Sequence, residues 1–281
     1  MSLPLLLGTV PRRSRRVAVV TWAFVRMGAR ATFSYPLTFF LAQMSAALQV
    51  VAFLFLGHLT KHSPSVGSGY LAFAAIGLTS AQVISGGIVG LGQELDLAIQ
   101  QGRMEMLLIE PISWRLIPPA LAAWPILIGL VNSVVILLVA WGLGATFTLH
   151  QFPVVIGLMA LGAASGLAIG ILAGALRVLA KRGDPVATIY VMAAYVVSGQ
   201  VVPINLFPWP LRALSWLFPN TYLTAGMRKA LMLNAGQIYG PDPNYALLEL
   251  LAICAVLLPL SLWVFGRSLE TGRRYGVLAG Y

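Results

Sequence analysis

Charge is what this sequence has least of. Asp, Glu, Lys and Arg make up 9% of its 281 residues, where a soluble domain carries roughly a quarter. With a mean hydropathy of +0.86, that scarcity excludes an ordinary water-facing surface and points to a bilayer. Cysteine is almost absent too. Cys254 stands alone in an apolar run, so no disulfide within the chain and no thiolate metal cluster is possible. No Gly-x-x-x-x-Gly-Lys-Ser/Thr loop is present to cradle phosphate, and no Gly-x-Ser-x-Gly elbow to carry a nucleophile. Ile84-Ser85-Gly86-Gly87 and Val197-Ser198-Gly199-Gln200 imitate a nucleotide-binding signature, but both lie inside apolar runs and read as small-residue packing. His58, His62 and His150 fall in predicted outer segments. The first two share an i, i+4 spacing without a carboxylate or cysteine nearby, so they read as solvated loop residues and no metal site is expected.

What is present is a series of charge-free runs. A helix needs about 20 apolar residues to cross about 30 Å of hydrocarbon. Six spans are expected, at about 37–57, 70–92, 117–145, 152–176, 185–203 and 245–266, with residues 1–281 forming a single transmembrane domain. The net charge of +10 is distributed by topology rather than gathered in one patch. With the N-terminus inside and spans alternating, the basic residues that fall outside are Lys61, Arg212, Arg228 and Lys229; the rest of the 18 are inside. This is the positive-inside bias. It accounts for the basic excess without nucleic acid, and it predicts cytoplasmic N- and C-termini. No cleavable signal peptide is expected, because the apolar Leu3–Leu7 precedes the arginines and Val17–Val25 is cut short by Arg26.

Residues 12–33 read as a helix before the first span. Arg12, Arg15, Arg16, Arg26 and Arg30 fall within about 100° of one another, with Val17, Thr21, Phe24 and Val25 opposite. The pattern fits an interfacial helix along the inner leaflet, and equally simple basic anchoring. In the fourth span Gly162, Gly166, Gly170 and Gly174 recur every four residues. Close helix packing is the favoured reading of that ladder, since lipid supplies no hydrophobic drive between helices; a face lining a path is the other. After the fifth span, Pro203 to Tyr222 is apolar, aromatic and broken by Pro203, Pro208, Pro210 and Pro219. It suits a segment dipping into the outer leaflet, with Trp209, Trp216 and Tyr222 at headgroup level.

The span centres hold neutral polar groups, notably Gln43, Gln82, Asn132 and Gln200, which are candidate pathway residues. Ion-coupled transporters usually keep a charge there. A proton or sodium gradient therefore has no evident handle, and energy is expected from outside the chain. The acids concentrate elsewhere: Glu94, Asp96, Glu105 and Glu110, four of the eight, lie between Gln93 and Pro111.

Within that island, Gln101-Gly102-Arg103-Met104-Glu105-Met106-Leu107-Leu108-Ile109-Glu110-Pro111 resembles the cytoplasmic segment of the permeases of ABC-2-type exporters. That family has a Gly, an acid before a Leu-Leu pair, and a Pro after its second span. At Arg103-Met104 this sequence departs from the commoner small or hydroxyl residue and Leu. The Pro203–Tyr222 tract with Met227-Arg228 is similar to the family's region between its last two spans, and the six-span plan matches along essentially the whole chain. The resemblance implies an all-α integral membrane protein with a coupling helix between spans 2 and 3. It implies an outer-leaflet re-entrant segment between spans 5 and 6, including Pro203, Pro208, Trp209, Pro219 and Tyr222.

The chain would be a bacterial inner-membrane permease subunit and not an enzyme. It would work as a dimer with a second copy or a sister permease, among membrane lipids, over two ATP-binding subunits that hold ATP and Mg2+. Glu94, Gly102, Arg103, Met104, Glu105, Leu107, Leu108 and Pro111 would seat in those subunits, aided by the N-terminal helix and the Arg177–Asp184 turn. The expected cargo is an amphipathic or lipid-like molecule of drug, glycolipid or polyketide type. A stand-alone secondary transporter or channel is the alternative reading.

Overall fold

In lipid each backbone amide must be satisfied within its own segment, so apolar runs of this length fold as helices. The computed structural model describes residues 13–59, 69–103, 113–148, 150–180, 185–232 and 239–274. Among them the regular elements are all helices, with no strand. In order come α1 (Arg13–Ser34), α2 (Pro36–Leu59), α3 (Tyr70–Ser85), a π turn (Gly86–Gly90) and α4 (Leu91–Gln100). A 3-10 turn (Trp114–Leu116) leads into α5 (Ile117–Gly142), followed by α6 (Phe152–Ala180) and α7 (Pro185–Val197). A second 3-10 turn (Ile204–Leu206) precedes α8 (Trp209–Ser215), α9 (Pro219–Leu231) and α10 (Pro243–Arg274).

The continuous rod α3–π–α4 is the most buried of the long helices. Glycines on it let neighbours approach backbone to backbone. A Cβ at Gly86 would meet the Pro125 carbonyl and Ile126 of α5, and one at Gly87 would strike Gly166 and Leu167 of α6. The contact is reciprocal, since Gly166 faces the Ile84 backbone and Gly170 the Gly87 carbonyl. Gly162 meets Leu223 and Val83, and Gly174 meets Leu95, so the four-residue ladder lies on the rod and on α9. Close van der Waals contact of this kind holds helices together where lipid competes for apolar surface. α10 runs along α6, while α1 and α2 pack on α5 from the other side. Gly28 of α1 sits on the Trp124 ring of α5, whose indole Nε1 donates to Thr32 Oγ1 at 2.9 Å.

Among the described residues, five helical stretches are long and apolar enough to cross a membrane: Pro36–Leu56, Tyr70–Gln100, Trp114–Gly142, Phe152–Arg177 and Pro243–Thr271. The expected span at 185–203 differs. Its helix stops at Val197, so at 1.5 Å per residue it reaches only about 20 Å. The stop has a local cause: Ser198 Oγ turns back to the Ala194 carbonyl, and Gly199 adopts φ +78°, a left-handed conformation that ends a helix. The chain then folds back along α7. Ser215 Oγ donates to the Val197 carbonyl at 2.6 Å, and Tyr190 Oη donates to Asn220 Oδ1 at 2.9 Å. The second expected span differs the other way. Its helix continues past the expected end at 92 through Gln93–Gln100, so the first part of the polar island belongs to the same rod, and the chain turns only at Gly102, where φ is +66°.

Candidate functional site

A cavity of about 560 Å³ opens between α1, α2, the α3–π–α4 rod and α5. Three of the four candidate pathway residues line it: Gln43 from α2, Gln82 from α3 and Asn132 from α5. Each is an isolated amide on an apolar helix, and burying such a group without a partner costs free energy. Gln43 and Asn132 answer each other, Gln43 Nε2 donating to Asn132 Oδ1 at 2.6 Å. The Gln43 Oε1 atom is buried with no hydrogen-bond partner, leaving an acceptor for a ligand or water. The small residues Gly86, Gly90 and Gly129 make room along the rod and α5, and Phe39 and Trp124 supply aromatic walls.

Gln200 does not join this cavity. It lies in the break after α7 and lines a smaller one of about 160 Å³ with Gln49, Tyr190 and Asn220. Gln82 and Ser85 border both cavities, so the α3 backbone separates two polar chambers that share those residues. Gln200 Oε1 is also buried without a partner. The arrangement can hold a ligand through amide donors and acceptors on one side and aromatic or aliphatic surface on the other. Among the described residues, no three His, Cys, Asp or Glu side chains converge to hold a metal.

Glu94 lines the large cavity where α4 passes beneath it. Gly102 forms the turn that ends the rod, and Arg103 follows, its guanidinium approaching Met27 of α1. Met104, Glu105, Leu107, Leu108 and Pro111 lie outside the described residues. Two residues carry a contact that spacing alone did not reveal. Arg177, at the end of α6, pairs with Asp96 of α4 at 3.0 Å and donates to the Gly92 carbonyl. This ties the rod to α6 just before the rod ends.

In the outer segment Pro203 leads into the second 3-10 turn, Pro208 precedes α8, and Pro219 opens α9, each where a proline costs no helical hydrogen bond. Trp209 is exposed, while Tyr222 Oη donates to the Trp216 carbonyl at 2.9 Å. The residue that sequence reasoning missed here is Arg228. Counted with the outer positive charges, it is 4% exposed in the structure, its guanidinium held by backbone carbonyls. A signal was available: α9 sets Arg228 at helical spacing from Thr224 and Leu231, both buried.

No curated protein matches the chain. The family model for ABC-2 type transporters matches residues 17–232, from α1 through α9 and well over half of the sequence. A multi-pass helical bundle with polar chambers, carrying that match, belongs to the ABC-2 type transporter family as a membrane-embedded transport subunit.

Proposed function

We propose that this permease exports an amphipathic or lipid-like molecule, of drug, glycolipid or polyketide type, driven by two separate ATP-binding subunits. The observation that carries the proposal is the large cavity, in which the Gln43–Asn132 amide pair and Glu94 line one space. Glu94 belongs to the rod, which ends at the Gly102 turn, and residues 104–111 follow it in sequence. A displacement of that segment by an ATPase would reach the cavity through the Gly102 turn and the rod, and Asp96–Arg177 would pass it to α6. Cargo with an apolar body and a polar head fits the lining: amides for the head, Phe39, Trp124 and Ile128 for the body.

The membrane placement follows from charge. With positive-inside orientation both termini face the cytoplasm of a bacterial inner membrane, and α1 lies along the inner leaflet. Its Arg26 and Arg30 are exposed beside exposed Trp22 and Phe33, a mixture suited to headgroups. The α7–α9 fold-back then completes a sixth crossing and a re-entrant outer segment. α2 exposes Leu37, Phe40, Leu41 and Leu48, an apolar face open to lipid or to a second permease.

The deciding experiment is a mild-detergent pull-down of the tagged chain co-expressed with the ATP-binding subunits of its source. A roughly stoichiometric ATPase is expected, lost with Glu105→Arg. A preparation free of ATPase even after crosslinking, with cargo flux driven by an ion gradient, would instead make the chain a stand-alone secondary transporter or channel.

A further inference from the structure

At the end of the bundle that carries the polar island, a groove of about 730 Å³ lies between the first 3-10 turn and the second half of α10. Its composition is unlike that of the candidate transport cavity. Two guanidiniums and two indoles meet there. The Arg115 guanidinium carbon stands 5.2 Å from the centre of the Trp114 ring, and that of Arg267 stands 5.1 Å from the Trp263 ring. Above them Leu258, Pro259 and Leu262 form an apolar wall. The groove is built rather than incidental, because the Trp114 ring rests on the backbone of Gly266, where any Cβ would displace it.

We infer that this groove binds one anionic glycerophospholipid of the phosphatidylglycerol type, headgroup between Arg115 and Arg267 and an acyl chain along Leu262 and Leu258. Three features point the same way. The charges are complementary: two arginines and Glu270 line the groove, a net of +1, matching one lipid of charge −1. Both guanidiniums are exposed and stand over rings, and among the described residues neither forms an ion pair, so each can turn its fork to a phosphate. The geometry also has the right extent, since Pro259 lies eight residues, or about 12 Å, along the helix from Arg267. That reaches from headgroup level well into the hydrocarbon. Indoles prefer this depth of the membrane, and basic pockets between helices take acidic headgroups.

The site is separate from the cavity proposed for cargo and shares none of its lining residues. A lipid seated there would brace the turn leading into α5 against the end of α10, which lies beyond the region matched to the family.

Native mass spectrometry of the full-length chain, offered equimolar phosphatidylglycerol, phosphatidylethanolamine and phosphatidylcholine, tests this. The wild type is expected to retain phosphatidylglycerol in preference to the other two. Arg115→Gln with Arg267→Gln is expected to lower that retention on the order of tenfold. Arg212→Gln with Lys229→Gln, which removes as much positive charge from the outer segment, is expected to leave it unchanged. The inference is overturned by equal retention of the three lipids, by undiminished phosphatidylglycerol in the groove variant, or by an equal loss in the outer-segment variant. If the double groove variant does not purify as a single species, Arg267→Gln alone decides by the same readout.

Discussion

The guanidinium of Arg228 lies over the Phe73 ring, its carbon 3.3 Å from the ring centre, and also donates to the Phe73 carbonyl from Nε at 3.2 Å and Nη2 at 3.1 Å. The same group donates to the carbonyls of Gly199 at 2.5 Å and Gln200 at 2.6 Å. One side chain from α9 therefore fastens the break after α7 to the start of α3. Gly77 makes this possible, because a side chain there would collide with the Gln200 carbonyl. The described partners of this buried cation are carbonyl dipoles and a ring face.

Removing that fork strands buried acceptors, each at a cost of about 1–3 kcal/mol. Arg228→Gln is therefore expected to lower the apparent Tm in detergent by roughly 10 °C. Arg228→Lys keeps the charge but cannot reproduce a planar fork, so its loss should be intermediate. An unchanged melting curve for Arg228→Gln would show that the fastening contributes nothing to stability.

The glycines on α6 should respond by position. Gly166→Ala and Gly170→Ala push a methyl into the carbonyls of Ile84 and Gly87, and overpacking of this kind costs about 1–3 kcal/mol. Gly142→Ala, with open space around it, should change stability by less than about 0.5 kcal/mol. Thermal melts of the three variants in one detergent provide the comparison, and equal shifts at Gly142 and Gly166 would argue against backbone contact.

For the amide pair, Gln43→Leu and Asn132→Leu should each be destabilising alone and less than additive together. Coupling between buried polar partners in membrane helices is about 0.6 kcal/mol on average and about 1.7 at most. A double-mutant cycle measures it. Each single variant should also retain its ATPase partner while losing stimulation of ATP hydrolysis by cargo, which separates a defect in the cavity from one in assembly.

Asp96–Arg177 divides unevenly. The Asp96 side chain is 40% exposed and that of Arg177 10%, so Asp96→Asn should cost at most about 1 kcal/mol, an effect that salt reduces further. Arg177→Met also removes the donor to the Gly92 carbonyl and should cost more. A larger loss from Asp96→Asn, measured by melts at low and high salt, would contradict this ordering.

Much of this fold could be read from apolar run length, and the bounds of the first, third and fourth spans fell within a few residues of the observed helices. The misplaced features share a cause: run length counts apolar positions and is blind to dihedrals. Val197-Ser198-Gly199-Gln200 is as free of charge as its surroundings, yet the positive φ of Gly199 stops the helix there. Gln93–Gln100 is polar enough to look like loop, yet Leu91, Leu95 and Ala98 recur at helical spacing and are buried. In the candidate site, Gln43, Gln82 and Asn132 were legible as isolated amides that needed partners. That they converge in one cavity while Gln200 faces another depends on helix rotation and on the π turn, which composition does not encode.

The π turn at Gly86–Gly90 holds one residue more than an α-helical path would need. Taking up that slack would advance everything beyond it by about 1.5 Å and turn it by about 100° around the helix axis. Glu94 would then swing away from the cavity, and Asp96 away from Arg177. The rod is thus an indexed shaft, whose next position along the sequence is one residue away.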